Sequence, residues 1–261
     1  MSYATIRITL AENGIATLTL ARPEKHNALN AEMISDLTHA AGELGSSGRV
    51  RVVVLEGEGD SFCAGGDLDW MKAQFEASRE ERMREARRLA NMLRAINDLP
   101  KPVIAAVNGA AFGGGVGMIC VADNAIAAST VKLGLTETRL GLIPATIGPY
   151  VAARLSEGST RRVFMSARIF GAEEALNLGL VGRVAPPDEL AAAVEAEARA
   201  YLAVAPGAVA AAKALARRLT SRIDDAVIEE TIRRLADTWE TPEAKEGIRA
   251  FLEKRKPSWN A

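Results

Sequence analysis

The sequence predicts an α/β fold that ends in a helical region. Three observations carry that reading. Apolar strand-like runs over 50–55 and 103–107 each lead into a glycine-rich turn and then a helix pattern. An alternating hairpin opens the chain. From residue 187 onward the pattern is helical almost throughout, rich in Ala, Glu and Arg. The 261 residues suffice for one large domain or a domain with an appendage. The shift in composition sets the expected division near residue 200, with a core over 1–200 and a helical region over 201–261.

In order along the chain, 3–10 alternates, with Ile6, Ile8 and Leu10 on one face. Glu12-Asn13-Gly14 makes a turn, and 15–20 alternates again. A polar loop, Arg22-Pro23-Glu24-Lys25-His26, precedes Asn30, which is placed to cap a helix over 31–44 with Met33, Leu37, Ala40, Ala41 and Leu44 as its stripe. The strand at 50–55 has no polar alternation, so it is expected to be buried on both faces. A glycine-rich turn over 57–68 follows. Residues 69–97 read as mostly helix, with Met83, Ala86, Ala90, Leu93 and Ile96 facing inward and a solvated Glu/Arg face. Beyond the strand at 103–107 and its turn, short strands are expected at 125–128 and 131–135, and a loop at 136–144. Helices are expected at 147–155, 160–166 and 172–178, a strand at 181–184, and helices at 188–204, 207–219, 224–237 and 242–254.

Composition excludes some classes. Lys and Arg number 32 against 33 Asp and Glu, so no global charge draws the chain to nucleic acid or an anionic membrane. Cys63 and Cys120 are far apart and have no metal-ligand spacing, and His26 and His39 are too few for a histidine-built centre. Two buried thiols in a reducing compartment are the expectation, and no metal is implied. The run 103–121 is long enough to mimic a membrane span, but it holds five glycines and Asn108, so it reads as strand, turn and helix. The first residues carry no apolar signal core and no myristoylation glycine, which points to a cytoplasmic protein.

The central stretch is Val107 to Val121, with Gly113-Gly114-Gly115 between strand and helix. Such a turn brings backbone N–H groups close to a bound group, and the helix adds its positive end. It fits neither the dinucleotide fingerprint nor a phosphate-binding loop, which needs a following lysine. A similar turn surrounds Ala64. Two such turns side by side could aim two amides, those of Ala64 and Gly114, at one oxygen and form an oxyanion hole.

Several ordered motifs carry a family resemblance. They are His26-Asn27-Ala28-Leu29, Phe62-Cys63-Ala64-Gly65-Gly66-Asp67-Leu68, Asn108-Gly109 followed by Gly114-Gly115, Gly134 with Glu137, Gly141 and Pro144, and the ending Phe251 to Pro257. Together they resemble the crotonase (enoyl-CoA hydratase/isomerase) family over essentially the whole chain. The resemblance implies a crotonase-like spiral of ββα units, a C-terminal helical trimerisation region, and a homotrimer or a dimer of trimers. It implies an acyl-CoA substrate, with coenzyme A entering as part of that substrate and no separate cofactor. It also implies Ala64 and Gly114 as oxyanion donors. The substrate-binding positions it implies are Arg22, Lys25, Ala28, Gly65, Gly66, Asp67, Leu68, Gly117 and Leu140.

Typical hydratases of the family carry two glutamates. One matches Glu137. The other falls three residues after the second oxyanion glycine, where this chain has Gly117. Glu137 is therefore the expected acid/base residue, with Gly117 expected to leave room for a branched or carboxylated acyl group. The stretches Asp69-Trp70-Met71 and Glu137 to Val151 resemble bacterial methylglutaconyl-CoA hydratases and related branched-substrate members, which also lack the first glutamate. Arg139 is a candidate partner for a substrate carboxylate, against an ordinary surface role. Arg22 and Lys25 are the expected holders of the CoA phosphates, with Lys254 and Lys256 of a neighbouring subunit as a weaker choice. His26 is expected to serve its own loop, and Cys63 has no base to make it a nucleophile. The leading expectation is hydration of an α,β-enoyl-CoA. The alternatives are double-bond isomerisation by the same glutamate and a non-catalytic CoA- or RNA-binding scaffold.

Overall fold

The computed structural model describes residues 3–220 and 223–260. The first two residues of the segment read for a leader, and residues 221, 222 and 261 of the expected helical region, lie outside the described residues.

The hairpin forms as its alternation requires. β1 (Ile6–Leu10) pairs antiparallel with β2 (Ile15–Leu20), Ile6 opposite Leu20. β3 (Val52–Gly57), β5 (Val103–Val107), β7 (Asn124–Ala128) and β9 (Arg183–Ala185) add on in parallel, giving a six-stranded sheet ordered β1-β2-β3-β5-β7-β9. The continuous apolar runs are buried on both faces: Val52, Leu55, Ile104 and Val107 are each fully enclosed.

A second sheet has three short parallel strands, β4 (Ser61–Cys63), β6 (Ala110–Phe112) and β8 (Leu133–Gly134), in the order β4-β6-β8. β4 and β6 lie inside the glycine-rich segments that the sequence presented as turns. Strands of three residues carry too little periodicity to stand out. The repeating unit is thus a strand in the large sheet, a strand in the small one, then helix. It recurs as β3-β4, β5-β6 and β7-β8 with their following helices. This is the expected spiral of ββα units.

α1 (Ala31–Ser46) starts where Asn30 places it. The Asn30 side chain accepts from the Met33 amide at 2.8 Å, and a cap of this kind contributes about 1 kcal/mol. Its stripe, including Ile34, is buried. The region 69–97 divides into α2 (Leu68–Glu76) and α3 (Arg79–Asp98). Ser78 and Glu81 form a reciprocal capping box that starts α3 afresh. α4 (Gly114–Val121) runs from the glycine triplet into the core. The expected 136–144 loop contains a single 3-10 turn, Glu137–Leu140.

α5 (Gly148–Arg154), α6 (Glu157–Ser166), α7 (Ala172–Leu178) and α8 (Leu190–Leu202) complete the spiral. Leu190, Ala193, Val194 and Ala198 of α8 belong to the main core. α9 (Pro206–Leu219), α10 (Asp225–Trp239) and α11 (Pro242–Leu252) follow. α10 packs Ile228 and Ile232 on Ala86 and Ala90 of α3. α11 packs Ala244 and Ile248 on Leu142, beside the Glu137 turn. Among the described residues, no helix is long and apolar enough to cross a membrane. The run 103–121 is a strand, a second strand and an eight-residue helix.

Candidate active site

The small sheet positions the site. Its strands run parallel, so the segments leaving β4, β6 and β8 emerge at one edge: Ala64 to Asp67, Gly113-Gly114, and Leu135 to Glu137. Carboxyl ends of parallel strands are where open α/β sheets hold ligands. A cavity of about 890 Å³ opens at that edge. Ala64, Gly65, Gly66, Gly113, Gly114 and Glu137 line it, with Trp70, Met71, Ile147 and Trp239 among its apolar walls.

Backbone hydrogen bonding decides which amides are free. The Ala64 N–H donates to the His26 carbonyl at 3.0 Å. The expected first donor is therefore already engaged. Two residues on, Leu29 donates to the Gly65 carbonyl at 2.7 Å and accepts from the Asp67 amide at 2.9 Å. That ladder turns the Gly66 N–H away from Leu29, and no described residue accepts it. Gly66, expected only as a binding position, thus replaces Ala64 as the free amide of this loop. The sequence hid this because spacing alone does not say which side of a bridge each amide faces.

The turn that carries the second expected donor, Gly114, forms at the start of α4. Gly113, at φ +48°, caps α4 without a side chain and gives its own N–H to the Gly134 carbonyl at 3.0 Å. The Gly114 N–H is the first of the helix, where no intrahelical partner exists, and no described residue accepts it. A Cβ on Gly113 would sit 3.0 Å from Glu137 Oε1, so the bare backbone lets the carboxylate approach this turn.

Glu137 opens the 3-10 turn after β8. Its Oε2 is buried without a hydrogen-bond partner. Burial pushes its carboxyl up from the ordinary 4.5 to about 7, and its own backbone amide opposes this only in part. A carboxylate that titrates near neutrality can both take and give a proton.

Gly117 departs from its expected role. A Cβ there would lie 2.5 Å from Ile147 Cγ2 and 3.0 Å from Ile147 Cβ, with Leu93 beyond. The space the missing side chain leaves is filled by Ile147, not opened to substrate, and Gly117 is buried. Ile147 in turn lines the cavity. Where a second glutamate would stand, this chain has an apolar wall.

Arg22 is corrected as well. Its Nη2 pairs with Asp67 Oδ2 at 2.9 Å, and its Nη1 donates to the Ala28 carbonyl at 2.6 Å. Both partners of the pair are largely enclosed, at 15% and 5% exposure, so Arg22 braces the loop and is not free for a phosphate. Asp67 also accepts from the amides of Asp69 and Trp70 to start α2. Burial pushes its carboxyl up, but Arg22 and those two amides outweigh burial and hold it below its ordinary value. Asn27, enclosed at φ +54°, accepts from the Arg22 amide and donates to the carbonyls of Glu58 and Ser61. His26 Nδ1 lies 3.1 Å from the Ser61 hydroxyl, the loop role expected of it.

Lys25, Ala28, Leu68 and Leu140 all line the cavity, and Lys25 is half exposed with only a 3.5 Å pair to Asp69. Arg139 lines it from an exposed position. The buried Cys63 thiol is pushed up to about 12 by burial, so it is no nucleophile at neutral pH. Sequence reasoning missed Arg82, Thr146, Ile147 and Trp239 as wall residues. They come from α3, the loop before α5, and α10, and nothing in their spacing joins them.

The profile of the enoyl-CoA hydratase/isomerase family matches residues 10–261. The chain belongs to that family. A crotonyl-CoA hydratase of Syntrophomonas wolfei is 35% identical, with 99% of each chain covered. A short-chain-enoyl-CoA hydratase of Clostridium acetobutylicum is 34% identical over 94% of each. Among solved structures, an enoyl-CoA hydratase from Mycobacterium avium superposes with a TM-score of 0.85 at 32% identity, covering 99% of this chain and all of that one. Another, from Shewanella pealeana, gives 0.81 at 35% identity over 98% and 96%. For a member of the enoyl-CoA hydratase/isomerase family, two free amides and one desolvated carboxylate lining an apolar cavity form a coherent set.

Proposed function

We infer that this chain is an enoyl-CoA hydratase, adding water across the α,β double bond of an acyl-CoA thioester. The observation that carries the reading is the convergence of Glu137 with the free Gly66 and Gly114 amides at one sheet edge. Glu137 takes a proton from water as the water oxygen bonds to Cβ. The double-bond electrons move to the thioester oxygen, whose charge the two amides stabilise. Glu137 then returns its proton to Cα, so one hydroxyl and one hydrogen are added and nothing is left over. Lys25 at the mouth meets a CoA phosphate, in place of the engaged Arg22. The likeness of Glu137 to Val151 to branched-substrate hydratases, with the large apolar cavity, favours a branched or carboxylated acyl group.

The test is loss of the conjugated enoyl-thioester absorbance with the intact protein, set beside Glu137→Gln. Turnover by the protein and a fall of about 10²- to 10⁴-fold in the variant support the reading. Undiminished turnover in the variant overturns it. One observation favours a second reading: Ile147 occupies the place of a second carboxylate. A single carboxylate suffices to carry a proton from Cγ to Cα of a β,γ-enoyl-CoA, which is isomerisation. Double-bond migration without net loss of the conjugated product from an α,β-enoyl-CoA would select it. The helical region also presents exposed Leu215 and Leu219, surfaces on which the proposed trimer could close.

A further inference from the structure

The turn that carries Glu137 has no hydrogen-bonded anchor of its own beyond β8. Arg139 donates to the Thr136 carbonyl at 3.1 Å, Gly141 to those of Glu137 and Thr138, and Leu142 to that of Glu137 at 3.1 Å. Among the described residues, the backbone hydrogen bonds of 136–142 thus close within that segment. Glu137 Oε2 has no partner, and the hydrogen bond its carboxyl keeps is to its own backbone amide. The carboxylate therefore goes where the backbone of the turn goes.

That backbone has the cavity on one side and α11 on the other. Thr136, Glu137, Arg139 and Leu140 line the cavity. On the far side the contact with α11 is backbone against backbone, twice over. A Cβ on Gly247 would lie 2.5 Å from the Leu140 carbonyl carbon and 2.6 Å from its oxygen. A Cβ on Gly141, which closes the turn at φ +68°, would lie 2.5 Å from the Glu243 carbonyl carbon and 2.6 Å from the Ala244 nitrogen. Leu142, Ala244 and Ile248 pack together beside these contacts and seal them.

A side chain set between two elements can change rotamer and absorb a shift. Two backbones in direct contact cannot, because close-packed interiors transmit strain. We propose that α11 is the seat of the Glu137 turn and that Gly247 is a positioning residue, whose bare backbone lets the helix hold the Leu140 peptide, and through it Glu137, at the depth the proton transfers need. This rests on the reading of Glu137 as the acid/base group. α11, expected only as part of an oligomerisation region, then serves catalysis within its own chain.

The test is Gly247→Ala, which sets a methyl group against the Leu140 peptide and forces turn and helix apart. kcat and kcat/KM for an enoyl-CoA should fall together, by about 10- to 100-fold, with KM little changed, because a displacement of about an ångström at the reacting groups suffices for that. Leu44→Ala, in the buried stripe of α1, is the control for lost stability and should keep its kcat at a temperature where both variants are folded. Equal losses of kcat in the two variants, or an undiminished kcat in Gly247→Ala, overturn the proposal. A second variant covers the case in which Gly247→Ala does not fold. Ile248→Val takes one methyl group from the packing on Leu142. The Leu142 amide, which is bonded to the Glu137 carbonyl, should then exchange its hydrogen about 2- to 10-fold faster, while the Leu133 amide of β8 is unaffected. Unchanged exchange at Leu142 also overturns the proposal. Hydrogen exchange needs no substrate, so the two readings fail separately. If Leu142 responds while the intact protein turns over no enoyl thioester, the hydratase reading fails and the docking of the turn on α11 stands. If the intact protein turns over and Gly247→Ala keeps its kcat, the positioning role fails and the hydratase reading stands.

Discussion

Removing the charge of Glu137 should stabilise the protein above neutral pH while it disables the site. Folding holds this carboxyl at about 7 against an ordinary 4.5, because burial disfavours the charged form. At about 1.4 kcal/mol per pKa unit, the folded state carries about 3 kcal/mol of unfavourable charge once both states are ionised. The sign follows from proton counting. Between pH 4.5 and about 7 the folded state retains the proton that the unfolded state has lost, so stability falls as pH rises through that window. Below it the group contributes no penalty, and above it the penalty is constant. Glu137→Gln keeps the shape and cannot ionise. Its stability relative to the intact protein should therefore grow from near zero at pH 4.5 to about 3 kcal/mol at pH 8. Urea unfolding of both proteins across this range, at one fixed protein concentration, measures the difference. A difference that stays flat across the window would falsify the desolvated state of Glu137. The same titration should appear in kcat/KM as an inflection near pH 7 that Glu137→Gln abolishes.

Three further outcomes follow from the geometry. Gly117→Ala places a methyl group 2.5 Å from Ile147 Cγ2 and should destabilise by about 1–3 kcal/mol, read from urea midpoints, with Gly117→Ala/Ile147→Val recovering part of the loss. Arg22→Ala leaves the enclosed Asp67 unpaired and should cost about 3–5 kcal/mol of stability, whereas Lys25→Ala should change stability by less than about 0.5 kcal/mol and raise KM for acyl-CoA. Equal effects of the two on KM, with both folds intact, would return Arg22 to the phosphate. Light scattering should give a mass of three chains of 27.7 kDa or a multiple of it, and a monomer at working concentration removes the trimer.

The parts of the fold legible in the sequence are those with long, unambiguous periods. The β1-β2 hairpin, α1 with its Asn30 cap and the apolar strands β3 and β5 declare themselves within their own segments. β4 and β6 do not, because strands of three residues depend on their neighbours for definition. The site divides in the same way. Glu137 and Gly114 were legible because a carboxylate and a glycine triplet sit at recognisable places in ordered motifs. The exchange of Ala64 for Gly66 was not legible, since it turns on whether an amide faces His26 or the cavity. Nor was the filling of Gly117, since the occupant comes thirty residues later, from the loop before α5. Arg22 shows the limit most plainly. It is an arginine in a polar loop, and only its partners, Asp67 and the Ala28 carbonyl, show that it braces that loop.

In the proposed mechanism one carboxylate does all the proton work, and Ile147 supplies a reason. In a site with two carboxylates, one can stay charged to orient water while the other stays protonated for the α-carbon, and mutual repulsion separates their titrations. The Ile147 side chain removes that arrangement and leaves an apolar wall by Gly117. The same kind of apolar enclosure that denies Glu137 a partner raises its titration to about 7. Near neutral pH its charged and protonated forms are then both populated, so the residue proposed to draw the proton from water is poised to return it to Cα. In hydration that proton comes from a water whose oxygen bonds to Cβ of an α,β-enoyl thioester; in isomerisation it comes from Cγ of a β,γ-enoyl thioester and no C–O bond forms. The choice between them thus passes from the acid/base group to the cavity wall, which decides whether a water or the acyl γ-carbon stands against Glu137.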